Sequence, residues 1–170
     1  GAILFVMIKM FGSISGAHFN PAVSMVFFLR KELDFKNLLT YIAYQMLGGI
    51  LAVFAIHYIF EINILQISTN IRGELPLLVS EIIATMGLIL TILFVRKYDK
   101  NSVAITVALF ITAGYWFTSS TSFANPMVTI SRVFTDTFTG IAPASIPYFL
   151  IGQIIAVFVA HFIYKIFDEN

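Results

Sequence analysis

Ser15-Gly16-Ala17-His18-Phe19-Asn20-Pro21-Ala22-Val23-Ser24 returns in outline as Thr121-Ser122-Phe123-Ala124-Asn125-Pro126-Met127-Val128-Thr129. The fold turns on how this repeated Asn-Pro is read. Asparagine is a favoured N-cap, and proline fits the first helical position, where its missing N–H would have no partner anyway. Each copy therefore reads as a helix start. The apolar runs that follow, Pro21 to Leu29 and Pro126 to Phe134, hold about half of the roughly 20 residues that a bilayer-spanning helix requires. One such motif would mark no more than a capped helix. Here both copies open a run too short to cross, and both are followed by a longer apolar run with one glutamine, Gln45 or Gln153. With the glutamines aligned, Gly48, Gly49 and Ala52 fall opposite Ala156, Val157 and Ala160. Small residues at such spacing let membrane helices approach closely, so the two halves read as an internal repeat.

Composition places that repeat in a bilayer. Of 170 residues, 59% are hydrophobic and 11% charged, against roughly 45–50% and 25% in soluble domains. The formal net charge of +1 leaves no basic face for nucleic acid. Without cysteine, disulfides and cysteine-ligated zinc are excluded. Apolar stretches at Leu38–Phe60, Leu77–Val95, Val103–Phe117 and Ile146–Phe167 read as spans, and Gly1–Phe11 as the end of another. That first stretch lacks the basic region and cleavage site of a signal peptide. Arg30, Lys31 and Lys36, then Arg96, Lys97 and Lys100, then Lys165 fall on one side, while the other connections hold only Arg72 and Arg132. The positive-inside rule then predicts a cytoplasmic C-terminus. The organisation expected is a partial first repeat over 1–62, an extracellular connecting loop over 63–76 and a second repeat over 77–170.

A half-helix can end inside hydrocarbon only where its backbone is buried in protein or lines a watery cavity. Paired interrupted elements in corresponding halves point to a site at the membrane midplane. Each half-helix aims its positive N-terminal end there, and Asn20 and Asn125 each offer an amide donor. Residues Gly16–Phe19 and Thr121–Ala124 are expected to run extended and present carbonyl acceptors. Such a path suits small neutral hydrogen-bonding molecules and disfavours cations, protons included.

The Ser-Gly-Ala-His-Phe-Asn-Pro-Ala-Val stretch with the second Asn-Pro-Met-Val resembles the aquaporin and aquaglyceroporin (major intrinsic protein) family over essentially the whole chain. The resemblance implies an all-α membrane protein with an inverted repeat. The family has six spans and two re-entrant half-helices; here five spans are expected, the first partial, with the family's first span missing. It implies one pore per subunit, a homotetramer in the plasma membrane and, by a bacterial subgroup pattern, an inner membrane. Asn20 and Asn125 correspond to the pore asparagines, Pro21 with Ala22 and Pro126 with Met127 to the two tips, and His18 to the histidine of the inner half. Glu81 resembles a buried glutamate that accepts hydrogen bonds from re-entrant backbone; a protonatable transport site is the alternative, since a charge within a span marks a site by default. His57 and His161 are expected to satisfy local hydrogen bonds.

By the same resemblance the selectivity filter falls at Ala113, Ser122 and Val128, its first position lying ahead of Gly1. Water-selective members carry histidine where Ala113 stands, and typical members carry arginine where Val128 stands. Their loss would widen the constriction and favour glycerol, urea or uncharged metalloid hydroxides such as arsenite over strict water selectivity. Arg132 lies one helical turn beyond Val128 and either reaches back to the mouth or pairs with Asp136. The flexible thioether of Met127 partly refills the centre. The function implied is a passive channel for water and small uncharged solutes, with a metalloid channel or an inactive fragment as alternatives. An alternating-access carrier would place charges at the midplane, where two neutral asparagines stand. An enzyme is not expected, because Glu81, His18, His57 and His161 form no metal-ligand spacing or nucleophile–base pair. No metal or cofactor is implied.

Overall fold

The computed structural model describes residues 1–168. Seven α-helices follow in order: α1 (Ala2–Ser15), α2 (Pro21–Leu29), α3 (Phe35–Ile59), α4 (Leu75–Tyr98), α5 (Val103–Phe117), α6 (Pro126–Ser131) and α7 (Ile146–Asp168). Short 3-10 turns occupy Lys100–Ser102, Arg132–Phe134 and Pro143–Ser145. Three helices, α3, α4 and α7 with the turn before it, are long and apolar enough to cross a bilayer. The other two expected spans are shorter, α1 with 14 residues and α5 with 15.

Capping explains most boundaries. Asn20 and Asn125 cap α2 and α6 with proline in the first turn, as the motif predicts. The α3 helix starts at Phe35, ahead of the predicted Leu38, because the Asp34 carboxylate accepts from Asn37 N at 2.8 Å. The second half-helix is shorter than predicted: after Ser131 the backbone tightens into the 3-10 turn Arg132–Phe134.

Both half-helices are held by spans of both repeats. The α2 helix buries Pro21, Ala22, Val23, Ser24, Val26 and Phe27 and packs on α3, α4 and α7. Ala156, Val157 and Ala160 of α7 are all 0% exposed, and Val157 and Ala160 join Val23, Val26 and Ile89 in one cluster. In the other half, α6 packs on α3 and α7, and a Cβ at Gly49 would collide with Met127 Sδ. Of the small residues aligned by the repeat, Gly49, Val157 and Ala160 thus seat the half-helix of the opposite repeat, whereas Gly48 and Ala52 are exposed. Two long helices, α4 and α7, also pack closely: a Cβ at Gly152 would lie 2.7 Å from the Leu78 carbonyl oxygen. Backbone cannot yield as a flexible side chain does. Gly152→Leu is therefore expected to destabilise the protein by about 1–3 kcal/mol, read as a lowered melting temperature in detergent; a wild-type melt would show that the helices separate freely.

The α3–α4 connection clasps the second half-helix instead of looping free. Ser68 N donates to Val133 O at 2.8 Å and Ala142 N to Asn70 O at 2.7 Å. His57 belongs to this clasp and so is not satisfied only locally. Its Nδ1 lies 2.9 Å from Ile64 O and its Nε2 3.0 Å from Thr135 Oγ1. A carbonyl only accepts, so Nδ1 carries a proton and donates to Ile64 O. For His161 the expectation fails: its buried Nδ1 has no hydrogen-bond partner among the described residues.

Candidate functional site: a cavity flanked by two reciprocal asparagines

Each asparagine divides its side chain between two tasks. The Oδ1 of Asn20 accepts from Ala22 N at 2.8 Å, and its Nδ2 donates to Ala124 O at 2.7 Å. The Oδ1 of Asn125 accepts from Met127 N at 3.0 Å, and its Nδ2 donates to Phe19 O at 3.0 Å. The oxygen caps its own half-helix; the amide binds the backbone ahead of the other one. An amide nitrogen carries two hydrogens, so one N–H of each asparagine is committed to this exchange and the other is not.

The carbonyls turn to meet those amides because the approaching backbone is not extended, contrary to the sequence expectation. Ala17 and Phe19 have φ of 49° and 48°, and Thr121, Ser122 and Ala124 have 61°, 48° and 47°. Left-handed conformation costs a non-glycine residue roughly 1–2 kcal/mol, so other contacts must hold these segments in place. In the second half the holder is Glu81, which is 0% exposed. Its Oε1 accepts from Phe123 N at 3.0 Å, and its Oε2 accepts from Ala124 N at 2.9 Å and Gln153 Nε2 at 2.7 Å. Gln153 Nε2 also donates to Thr129 Oγ1 at 2.9 Å. Its repeat mate Gln45 donates to Ser24 Oγ at 3.1 Å, so the two glutamines that marked the repeat each brace a half-helix hydroxyl.

A cavity of about 1020 Å³ passes this centre. His18, Phe19, Asn20, Asn125, Met127 and Val128 line its middle. Pro21, Ala22 and Pro126 do not: all three are buried behind the tips. His18 stacks on Phe27 with ring centres 4.6 Å apart, and its Nδ1 lies 3.1 Å from Ser24 Oγ. At one end of the cavity stand Glu32 and Arg96, which pair with each other. Arg30 also binds Glu32, at 2.7 Å. Partial burial acts to raise the Glu32 carboxyl, but its bonds from Arg30 and Arg96 prevail and hold it below the usual range.

Toward the other end, Ser122, Val128 and Arg132 reach the cavity, and Ala113 does not. Ala113 is exposed. The cavity face of α5 is Val103, Ala104, Val107, Ile111 and Tyr115, and counting back from Asn125 without gaps missed that stripe. The four-residue spacing was present in the sequence. Between these turns α5 comes close to the re-entrant segment: a Cβ at Gly114 would stand 2.6 Å from Ser122 Oγ. The suggested Arg132–Asp136 pair is absent among the described residues. The Asp136 carboxylate instead accepts from Thr69 N at 2.8 Å and Thr69 Oγ1 at 3.1 Å. The Arg132 guanidinium lies 5.8 Å from the Phe123 ring centre. No group of three or more potential metal ligands occurs among the described residues.

Residues 1–119 match the model of the family described as "Major intrinsic protein". The chain is 43% identical over 155 residues to "Aquaglyceroporin AqpS" of Rhizobium meliloti (strain 1021), covering 91% of this chain and 66% of that protein. It is 29% identical over 179 residues to "Probable aquaporin NIP-type" of Nicotiana alata, covering 98% and 63%. A third relative, "Aquaglyceroporin" of Toxoplasma gondii (strain ATCC 50611 / Me49), is 34% identical over 93 residues, 53% of this chain and 35% of that protein. The chain thus spans just under two thirds of the curated relatives that it matches over most of its own length. With paired half-helices, apolar helices long enough to cross a bilayer and this family match, the chain is a multi-pass membrane protein that belongs to the major intrinsic protein family.

Proposed function

We propose that the protein is a passive channel for water and small uncharged solutes such as glycerol or urea. The observation that carries this reading is the reciprocal asparagine exchange beside one cavity. It leaves amide donors and half-helix N-termini at the centre, with no ionised side chain among the described residues there to drive a coupled carrier cycle. Positive helix ends repel cations, and fixed donors replace part of the hydration of a neutral solute. Orientation with the C-terminus in the cytoplasm, residence in a bacterial inner membrane and a homotetrameric assembly belong to the same proposal. Vesicles containing the protein should shrink or swell rapidly under osmotic gradients of glycerol or urea, without saturation and without proton flux. Saturable uptake that needs an ion gradient would overturn the reading.

Val128, standing where the resemblance places arginine, favours a wide filter, and with it a second reading in which uncharged metalloid hydroxides such as arsenite are the main solute. Val128→Arg adds a long cation at the cavity wall. It is expected to lower glycerol and arsenite flux about tenfold while water flux falls less, a difference on the order of 1.4 kcal/mol in barrier. An unchanged solute profile would remove Val128 from the filter.

A further inference from the structure

The α3–α4 connection carries a cation that the two pore motifs do not account for. Arg72 donates from Nη2 to Ser119 O at 3.3 Å and from Nη1 to Thr121 Oγ1 at 3.4 Å. Its backbone N–H donates to Ser145 Oγ at 2.8 Å, which fixes the root of the side chain against the turn before α7. Its guanidinium carbon lies 5.6 Å from the ring centre of Phe123 and 5.8 Å from that of Phe149. Those rings pack on each other, with centres 4.8 Å apart. Phe123 is also the ring approached by Arg132. The two arginines therefore share one aromatic partner, and a cation over a ring face is attracted by its quadrupole.

Glu81 holds the strained segment Thr121–Ala124 at its far end, by the N–H groups of Phe123 and Ala124. Arg72 holds its near end, by Ser119 and Thr121. Between these anchors sits Ser122, whose buried Oγ has no partner among the described residues and which lines the cavity. Arg132 makes no side-chain hydrogen bond of its own among the described residues, so its place depends on Phe123 and on the neighbouring charge. We propose that Arg72 is a positioning residue that sets solute selectivity at this mouth: it fixes residues 119–121 and the Phe123 ring, and so places Ser122 and Arg132 against the cavity. The positive charge absent from the half-helix tip at Val128 is supplied by two arginines standing behind it. This inference rests on the channel reading above.

The test is the ratio of glycerol to water permeability of the protein in proteoliposomes. In R72A the Phe123 site is left to Arg132 alone, which turns from the cavity toward the vacated ring, and the mouth widens. The ratio should rise about twofold to thirtyfold, the range spanned by one arginine–aromatic contact. R72K keeps the charge but not the planar fork, so its ratio should fall between R72A and wild type. A merely structural role would change both permeabilities together and leave the ratio alone. A wild-type ratio in folded R72A therefore overturns the proposal. If R72A yields no folded protein, R72K carries the test, and an unchanged ratio there overturns it equally. A wild-type protein conducting neither water nor glycerol would overturn the channel reading itself, and this proposal with it.

Discussion

Replacing Glu81 with alanine should cost the protein about 3 kcal/mol or more, because three buried donors lose their acceptor at once and each unsatisfied group costs about 1–3 kcal/mol. Those donors are Phe123 N, Ala124 N and Gln153 Nε2. Two belong to the segment with the left-handed residues Thr121, Ser122 and Ala124, so the loss falls where backbone strain is already stored. Thermal unfolding in detergent should show a large fall in melting temperature for Glu81→Ala, and the second half-helix should become open to proteolysis. Glu81→Gln separates this role from proton transport. Glutamine keeps one acceptor for one backbone N–H but turns an amide against the other donors, so it should destabilise less than alanine. If Glu81→Gln melts as the wild type does while making transport insensitive to pH, Glu81 is a transport site and the structural role is wrong.

The second large effect is expected from Asn125→Asp. Asparagine can cap α6 and donate to Phe19 O at the same time. Aspartate caps equally well but has no hydrogen to donate when ionised, so it sets a carboxylate against the Phe19 carbonyl. The cross-connection is lost and a negative charge appears where the positive helix ends converge. Conductance recordings should then show a cation leak absent from the wild type, or the protein should fail to fold. Asn125→Ser distinguishes the two contributions: it retains a cap and a donor but is too short to reach Phe19, so solute flux should fall without a cation leak. Wild-type ion exclusion in a well-folded Asn125→Asp protein would mean that Asn125 does not stand at the constriction.

The elements whose boundaries depend on local chemistry were legible in the sequence. Asn20-Pro21 and Asn125-Pro126 start helices for reasons confined to a few residues, and α2 and α5 run over the predicted residues. The repeat was legible too, because glutamine in an apolar span requires a partner. What escaped were features set by residues remote in the chain. Nothing near Phe19 announces φ of 48°; the carbonyl turns because Asn125 must be met. Ala113 was misplaced because a gapless count ignores the unknown length of a bend, whereas the stripe Val107, Ile111, Tyr115 obeys the helix period. Arg72 passed as a loop charge, since its partners at Ser119 and Thr121 become neighbours only when the α3–α4 connection folds back. Asp136 likewise left Arg132 for Thr69, a residue in that same connection.

The exchange between the asparagines also orders events during synthesis. Asn20 is made early, but its carbonyl partner follows 104 residues later in the chain, and the return bond from Asn125 spans 106. Loop closure over such a distance is a late step in any folding sequence. Throughout translation of the intervening helices the first half-helix therefore waits with an open tip, and the two tips can join only when the ribosome has passed the second Asn-Pro.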